Sequence, residues 1–197
     1  MNDFRFLGTL AAVLSAGLIV GAMLRLQPVF GSNDASRWNT VWSLTHERGY
    51  IIDGAPYPTV DKVKRDGHFY SSKPALMPTV LAALAWPFKA AGGWTVPEKA
   101  AMIHRAILLL VNVLPFSIFI ILYARYLDRN RTKLSTRLYC LSAAAFGTYL
   151  TAYSTTLNNH TQAAWSVFFT LYHLVRIKDD GKRDGWRFAV CGLFAAW

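Results

Sequence analysis

Apolar positions gather in long uncharged runs, and the charged residues fall between them. Residues 6–24, FLGTLAAVLSAGLIVGAML, carry no charge and have the length of a crossing helix. The run ends in RLQPVF rather than in the small residues of a cleavage site, so it predicts an anchor that stays in place. Residues 106–124, AILLLVNVLPFSIFIILYA, predict a second span, with Pro115 as a kink point. Residues 138–156 and 161–175 are less apolar and rich in Ala, Thr, Tyr and Ser. They predict two further spans of the kind that pack on other helices or line a cavity. A fifth run opens near Phe188 and stops after ten residues, short of the roughly 20 a span needs. The expected architecture is therefore an all-α, polytopic membrane helix bundle. It has about four complete spans and a truncated fifth, and residues 1–197 read as the N-terminal module of a longer protein.

Residues 74–92, PALMPTVLAALAWPFKAAG, are apolar but interrupted by Pro74, Pro78 and Pro87, with Lys89 near the end. Loop charge decides between a crossing and a surface helix. Residues 125–137 hold five basic residues against one acid, and residues 176–187 hold five against three. The excess of Lys and Arg puts both loops in the cytoplasm. The helix at 106–124 must then run inward, and the first span delivers the chain to the outside. Everything from 27 to 104 shares that outer side, so 74–92 reads as a juxtamembrane or re-entrant helix. This outer loop of 78 residues carries Trp38, Trp42, Tyr50, Tyr57, Phe69 and Tyr70, which suggests short helices pressed on the membrane surface. It shows no clear alternating strand pattern.

Composition fits this reading. Hydrophobic residues make up 53% of the 197, and net charge is +10. In a soluble protein that charge would point to nucleic acid; here it sits between apolar runs and no nucleic-acid motif accompanies it, so no nucleic-acid partner is expected. Cys140 and Cys191 lie inside apolar runs and read as packing residues. No CxxC, HExxH, GxGxxG or Walker pattern is present, which leaves zinc sites and P-loops unsupported.

Three polar groups share the outer side. The first is Asn33, Asp34 and Arg37; the second runs from Asp61 to Lys73 and includes Lys62, Lys64, Arg65, Asp66, His68 and Tyr70; the third is Asn158, Asn159 and His160. A carboxylate such as Asp34 is suited to general-base work, and Lys or Arg nearby can neutralise a leaving phosphate. Plainer readings stand beside these. Asp34 is equally placed to cap the next helix. The basic residues suit a solvated face or anionic lipid, and His160 suits a structural role at a helix start.

The order of the pieces resembles the GT-C membrane glycosyltransferases, of the protein O-mannosyltransferase and lipid A aminoarabinose transferase kind. GSNDASR stands after the first span where that family has its catalytic acid, GHFYSSKPALMP resembles its KPPL stretch with Ala75 in place of the second proline, and HRAILLLVNVLP loosely fits the start of its next span. By this resemblance Asp34 is the catalytic base. Asn33, Arg37, His68, Tyr70 and Lys73 bind substrate, with Tyr70 and Lys73 facing the donor phosphate. Asn159 and His160 stand where some members place a substrate or metal ligand. The resemblance implies transfer of a sugar from a polyprenyl-phosphate donor to a lipid, glycan or protein acceptor. It also implies a multi-pass protein in contact with membrane lipids, in a bacterial inner membrane with its active site facing outside. It names no certain cofactor and leaves room for a divalent metal. Asp34 has Ser36 rather than an acid two residues on, and the His160 loop has no carboxylate, so neither forms a D-x-D metal motif. The competing expectation is a non-enzymatic multi-pass protein, a transporter or an assembly subunit.

Overall fold

The first apolar run forms α1 (Asp3–Arg25), about 35 Å long at 1.5 Å per residue. Its buried face is built mostly of small residues: Gly8, Ala11, Ala12 and Ser15 lie between Phe4 and Ile19. Its exposed face holds Phe6, Leu10, Val13, Leu14, Leu18 and Leu24. The computed structural model describes residues 3–27, 29–181 and 183–196. Pro28 after the first span, Lys182 of the second basic segment and Trp197 lie outside the described residues.

The second long apolar helix runs from Ala100 to Arg129. It consists of α4 (Ala100–Leu108), a widened π-helical turn (Leu109–Val113) and α5 (Leu114–Arg129). Pro115 has no N–H for the carbonyl of Val111, four residues earlier, and its ring crowds that carbonyl. The widened turn sits directly before it, an accommodation that keeps the helix going. Helix Phe4–Arg25 and helix Ala100–Arg129 are long and apolar enough to cross a membrane. The expected span at 138–156 is instead divided into α6 (Leu134–Phe146) and α7 (Tyr149–Tyr153). Gly147 closes α6 by donating to Ala143 O at 2.8 Å, and Thr148 is extended at φ −117° and ψ 157°, which ends the helical ladder. Residues 161–175 lie within α8 (Asn159–Asp179), and α9 (Gly185–Ala196) follows.

The chain divides into two compact units. The helical unit contains Met1–Ile19, Val111–Ser154 and Asn159–Trp197. Here Gly8 permits close packing of α1 on α5, since a Cβ at Gly8 would lie 2.3 Å from the Ala124 Cβ. Phe116 and Phe119 of α5 meet Trp165 and Phe168 of α8, the Phe119–Phe168 pair edge-to-face with centroids 4.7 Å apart. Such aromatic pairs add to the burial of their area. Asn112 projects from the widened turn into this apolar interior, where its amide donates to Ser154 O at 3.0 Å and accepts from Gln162 at 2.8 Å. Cys140 and Cys191 are free thiols, and Cys191 is buried.

The second unit contains Val20–Leu110 and Thr155–Asn158. It holds α2 (Ser32–Thr45), strands β1 (Lys62–Arg65) and β2 (His68–Ser71), and α3 (Leu76–Gly92). The strands pair antiparallel with Lys62 opposite Ser71 and Arg65 opposite His68. This hairpin corrects the reading of the loop as strandless. Asp66 and Gly67 form its two-residue turn at φ 52° and 85°, the left-handed pair that an Asp-Gly turn supplies. The 74–92 segment forms α3, a 17-residue helix packed on α2 and α4 and capped by Gly93 at φ 63°. Its length falls short of the roughly 20 residues of a span. The described chain is thus mostly helical, with one small hairpin.

Candidate functional site

The site begins where α1 ends. Arg105 of α4 donates to the carbonyls of Met23 and Leu24, both at 3.1 Å. These are among the last carbonyls of α1, which lack helical partners, and a cation there is favoured. That clamp fixes the point from which the chain turns into α2.

Asp34 occupies the third helical position of α2 and closes this turn. Its Oδ1 accepts from Gly31 N at 2.7 Å and Ala35 N at 2.9 Å, and its Oδ2 accepts from Phe30 N at 2.8 Å. The bond to Gly31 is the returning half of a capping box; Gly31 has no side chain to supply the other half. Asp34 is 4% exposed. The capping geometry is therefore realised, and three backbone donors occupy most of the carboxylate's acceptor sites.

One turn on, polar residues face inward. Ser32, Ser36, Asn39 and Ser43 recur at spacings of four, three and four, which places them on one helical face. Ser36 donates to Asp61 O at 2.5 Å, so its 2.6 Å contact with Ser71 is donated by Ser71. Asn39 donates to Tyr57 O at 2.7 Å and accepts from Tyr57 N at 3.1 Å. Ser43 donates to Ile51 O, and Ser32 accepts from Val60 N at 2.9 Å. The stripe thus stitches the connection between α2 and the hairpin onto α2, residue by residue. The bonds to Asp61 O, Tyr57 N, Tyr57 O and Ile51 O satisfy backbone groups in partly buried places.

Arg37 is 2% exposed. Its guanidinium donates to the Asn33 side chain and to Asn33 O at 3.1 Å. Burial pulls its pKa below the ordinary value, opposed by the charges of Asp34 and Asp61. Asp61 in turn pairs with Lys73 at 3.0 Å. Lys73 N also donates to Ser71 at 3.1 Å, closing a ring through Ser71, Ser36 and Asp61. The structure therefore brings Asn33, Asp34, Arg37, Asp61 and Lys73 into one cluster.

His68 and Tyr70 are placed differently. His68 sits at the turn end of the hairpin, three residues and about 10 Å along β2 from Ser71. It pairs with Asp53 at 2.6 Å, and Phe69 N donates to the same carboxylate at 2.7 Å. These bonds hold the Asp53 pKa below the usual range, the His68 bond foremost. Tyr70 lies opposite Val63 and bridges to Ile51. Asn159 and His160 open α8 in the helical unit; both are exposed, and the His160 ring lies 5.9 Å from that of Tyr153.

A groove of about 900 Å³ adjoins the cluster. Phe30, Gly31, Ser32 and Ala35 line one part of it, and Tyr57, Pro58, Thr59, Val60 and Lys62 another. Asp34 lies just behind the first of these segments, and Lys62 is the charged residue of the lining. The Lys62 ammonium rests over Phe69 at 4.4 Å. Burial pushes the Tyr57 phenol up to about 12, so it is a neutral hydroxyl at the groove wall.

Sequence reasoning missed His104. It is fully buried in α4 and stacked on Trp38 at 3.7 Å and 15°. A lone histidine in an apolar run gives no signal of such a stack. Among the described residues, no three or more His, Cys, Asp or Glu side chains are grouped to hold a metal ion. No family model matches the chain, and neither a curated protein nor a solved structure matches it.

Proposed function

We propose that this chain is a multi-pass membrane glycosyltransferase module that uses a polyprenyl-phosphate sugar as donor at the non-cytoplasmic face. One juxtaposition carries the reading. At the end of an apolar helix long enough to cross a membrane, a cluster of the buried Asp34 and Arg37 and the half-buried Asp61 and Lys73 adjoins a groove of about 900 Å³ lined by Phe30, Pro58, Val60 and Lys62. Apolar walls suit a lipid-linked donor, and Lys62 supplies a cation for its phosphate. α1 supports the membrane setting: its small residues face inward and its large apolar residues face outward, the arrangement of a helix whose solvent is lipid.

In this reading the acceptor hydroxyl gives its proton to Asp34 as its oxygen attacks the anomeric carbon. The bond from that carbon to the phosphate oxygen breaks on the opposite face, so a single displacement inverts the centre. Lys62 meets the departing polyprenyl phosphate. Lys73 exchanges Asp61 for it.

The second reading, a transporter or assembly subunit, is favoured by the three backbone bonds that already hold Asp34. Sugar transfer in membranes by Asp34→Asn separates the two. Asparagine keeps the Oδ1 acceptor for Gly31 and Ala35. The transferase reading expects transfer to fall by about 10²–10⁴-fold in protein that still purifies as a folded species. Wild-type transfer by the folded variant would sink the assignment. In a parallel assay, Lys62→Gln should raise donor KM more than it lowers kcat.

A further inference from the structure

We infer that an arginine-lined basin in the helical unit is a binding site for the phosphate headgroup of an anionic phospholipid. The basin has a volume of about 650 Å³ and is lined by Arg5, Arg125, Arg129, Arg131, Arg137 and Arg176, with Asp128 the acid among them. Asp128 pairs with Arg5 at 3.3 Å and Arg137 at 3.0 Å; Asp180 pairs with Arg129 at 2.5 Å and Arg176 at 2.8 Å. Six arginines against two carboxylates leave four positive charges. Arg125 and Arg131 form no ion pair among the described residues, and Arg137 keeps its Nε–H buried without an acceptor there. Residual charge, open guanidinium forks and concavity together call for a multivalent oxyanion, the group that guanidinium geometry matches best.

Position chooses the source of that oxyanion. Arg5 lies in the first turn of α1, and Arg125 and Arg129 in the last two turns of helix Ala100–Arg129. The ion pair of Arg5 with Asp128 joins the ends of the two helices long enough to cross a membrane. Arg176 lies in the last turn of α8. The basin thus sits at headgroup level, on the side the basic loops assign to the cytoplasm. Basic pockets at such helix ends attract anionic headgroups. The inference rests on the membrane-crossing part of the proposed function and not on sugar transfer.

The test uses the full chain purified in neutral detergent and titrated with short-chain phosphatidic acid, or with glycerol phosphate as the same headgroup chemistry without tails. Phosphatidic acid should bind, and glycerol phosphate should bind at least about tenfold more weakly. Arg125→Gln with Arg131→Gln should weaken the lipid by about 30-fold. Lys64→Gln with Arg65→Gln, an equal loss of charge in the hairpin, should leave binding unchanged. Arg125→Lys with Arg131→Lys keeps the charge without the fork and should bind between the native chain and the glutamine pair, which guards against a folding defect. Equal weakening in both glutamine pairs, no weakening in either, or equal binding of glycerol phosphate would overturn the site. An alkaline wash tells this failure from failure of the membrane reading: chain released from membranes by the wash would remove both, whereas chain that stays and does not bind lipid removes the basin alone.

Discussion

The two units keep their interiors dense by opposite means. In the helical unit, α1 brings Gly8, Ala12 and Ser15 against its neighbours, and α5 and α8 interlock Phe116, Phe119, Trp165 and Phe168. In the other unit, α2 turns Ser36, Asn39 and Ser43 inward and holds its neighbours by their backbones. The first is fastened by close packing, which needs little directionality and leaves large apolar residues outside. The second is fastened by donors and acceptors, which need fixed geometry. A unit of the second kind keeps groups such as Asp34, Arg37 and Lys73 in set positions, as a site of catalysis or recognition requires.

The sharpest way to break this comparison is Asn39→Leu. It strands the Tyr57 N–H and C=O in a half-buried place at about 1–2 kcal/mol each, so the unit should lose about 3 kcal/mol. Limited proteolysis between Thr45 and Lys62 should accelerate strongly, and an unchanged rate would show that the stripe does not hold the loop. Next is Gly8→Val in the packed unit. The new Cβ meets Ala124 at 2.3 Å, and overpacking of this kind costs about 1–3 kcal/mol. Thermal unfolding in detergent should show the loss, and Ala124→Gly should restore part of it; simple addition of the two effects would deny the contact.

Legibility follows the same division. α1 and helix Ala100–Arg129 are plain in the hydrophobic runs, because a long uncharged apolar run is itself the signal of a helix of crossing length. The interior of the second unit was not, because Ser32, Ser36, Asn39 and Ser43 read as surface. Their spacing of four, three and four was the available signal, polar residues at a period usually searched only for apolar ones. The hairpin was missed for a related reason: Asp66-Gly67 announces it, yet β1 is exposed throughout as Lys-Val-Lys-Arg and shows no buried alternation. The sequence offers Asp34 both as cap and as base; its capping bonds are in place. The distance of His68 from that cluster depends on hairpin register, which spacing alone does not encode.

Smaller effects refine the joint between α1 and α2. Arg105→Gln removes the cation from the last carbonyls of α1, and about 1 kcal/mol of stability should go with it; added salt should blunt the loss only partly, since the site is half-buried. The smallest effect is at Asp53. Its folded pKa lies below the unfolded value of about 3.9. The stabilisation is therefore complete above that value and is lost as pH falls through the lower, folded one. The protection factor of the Phe69 amide should drop below about pH 4, and Asp53→Asn should remove that acid step.

Both proposals expect helix Ala100–Arg129 to cross the membrane, with the hairpin turn open to one compartment and the segment after α5 to the other. Cysteines placed singly at Gly67 in the hairpin turn and at Thr132 between α5 and α6, in a background without Cys140 and Cys191, test this most directly. An impermeant thiol reagent added to intact cells should label the Gly67→Cys chain and reach Thr132→Cys only after the membrane is opened. Labelling of both positions from the same side would contradict the account.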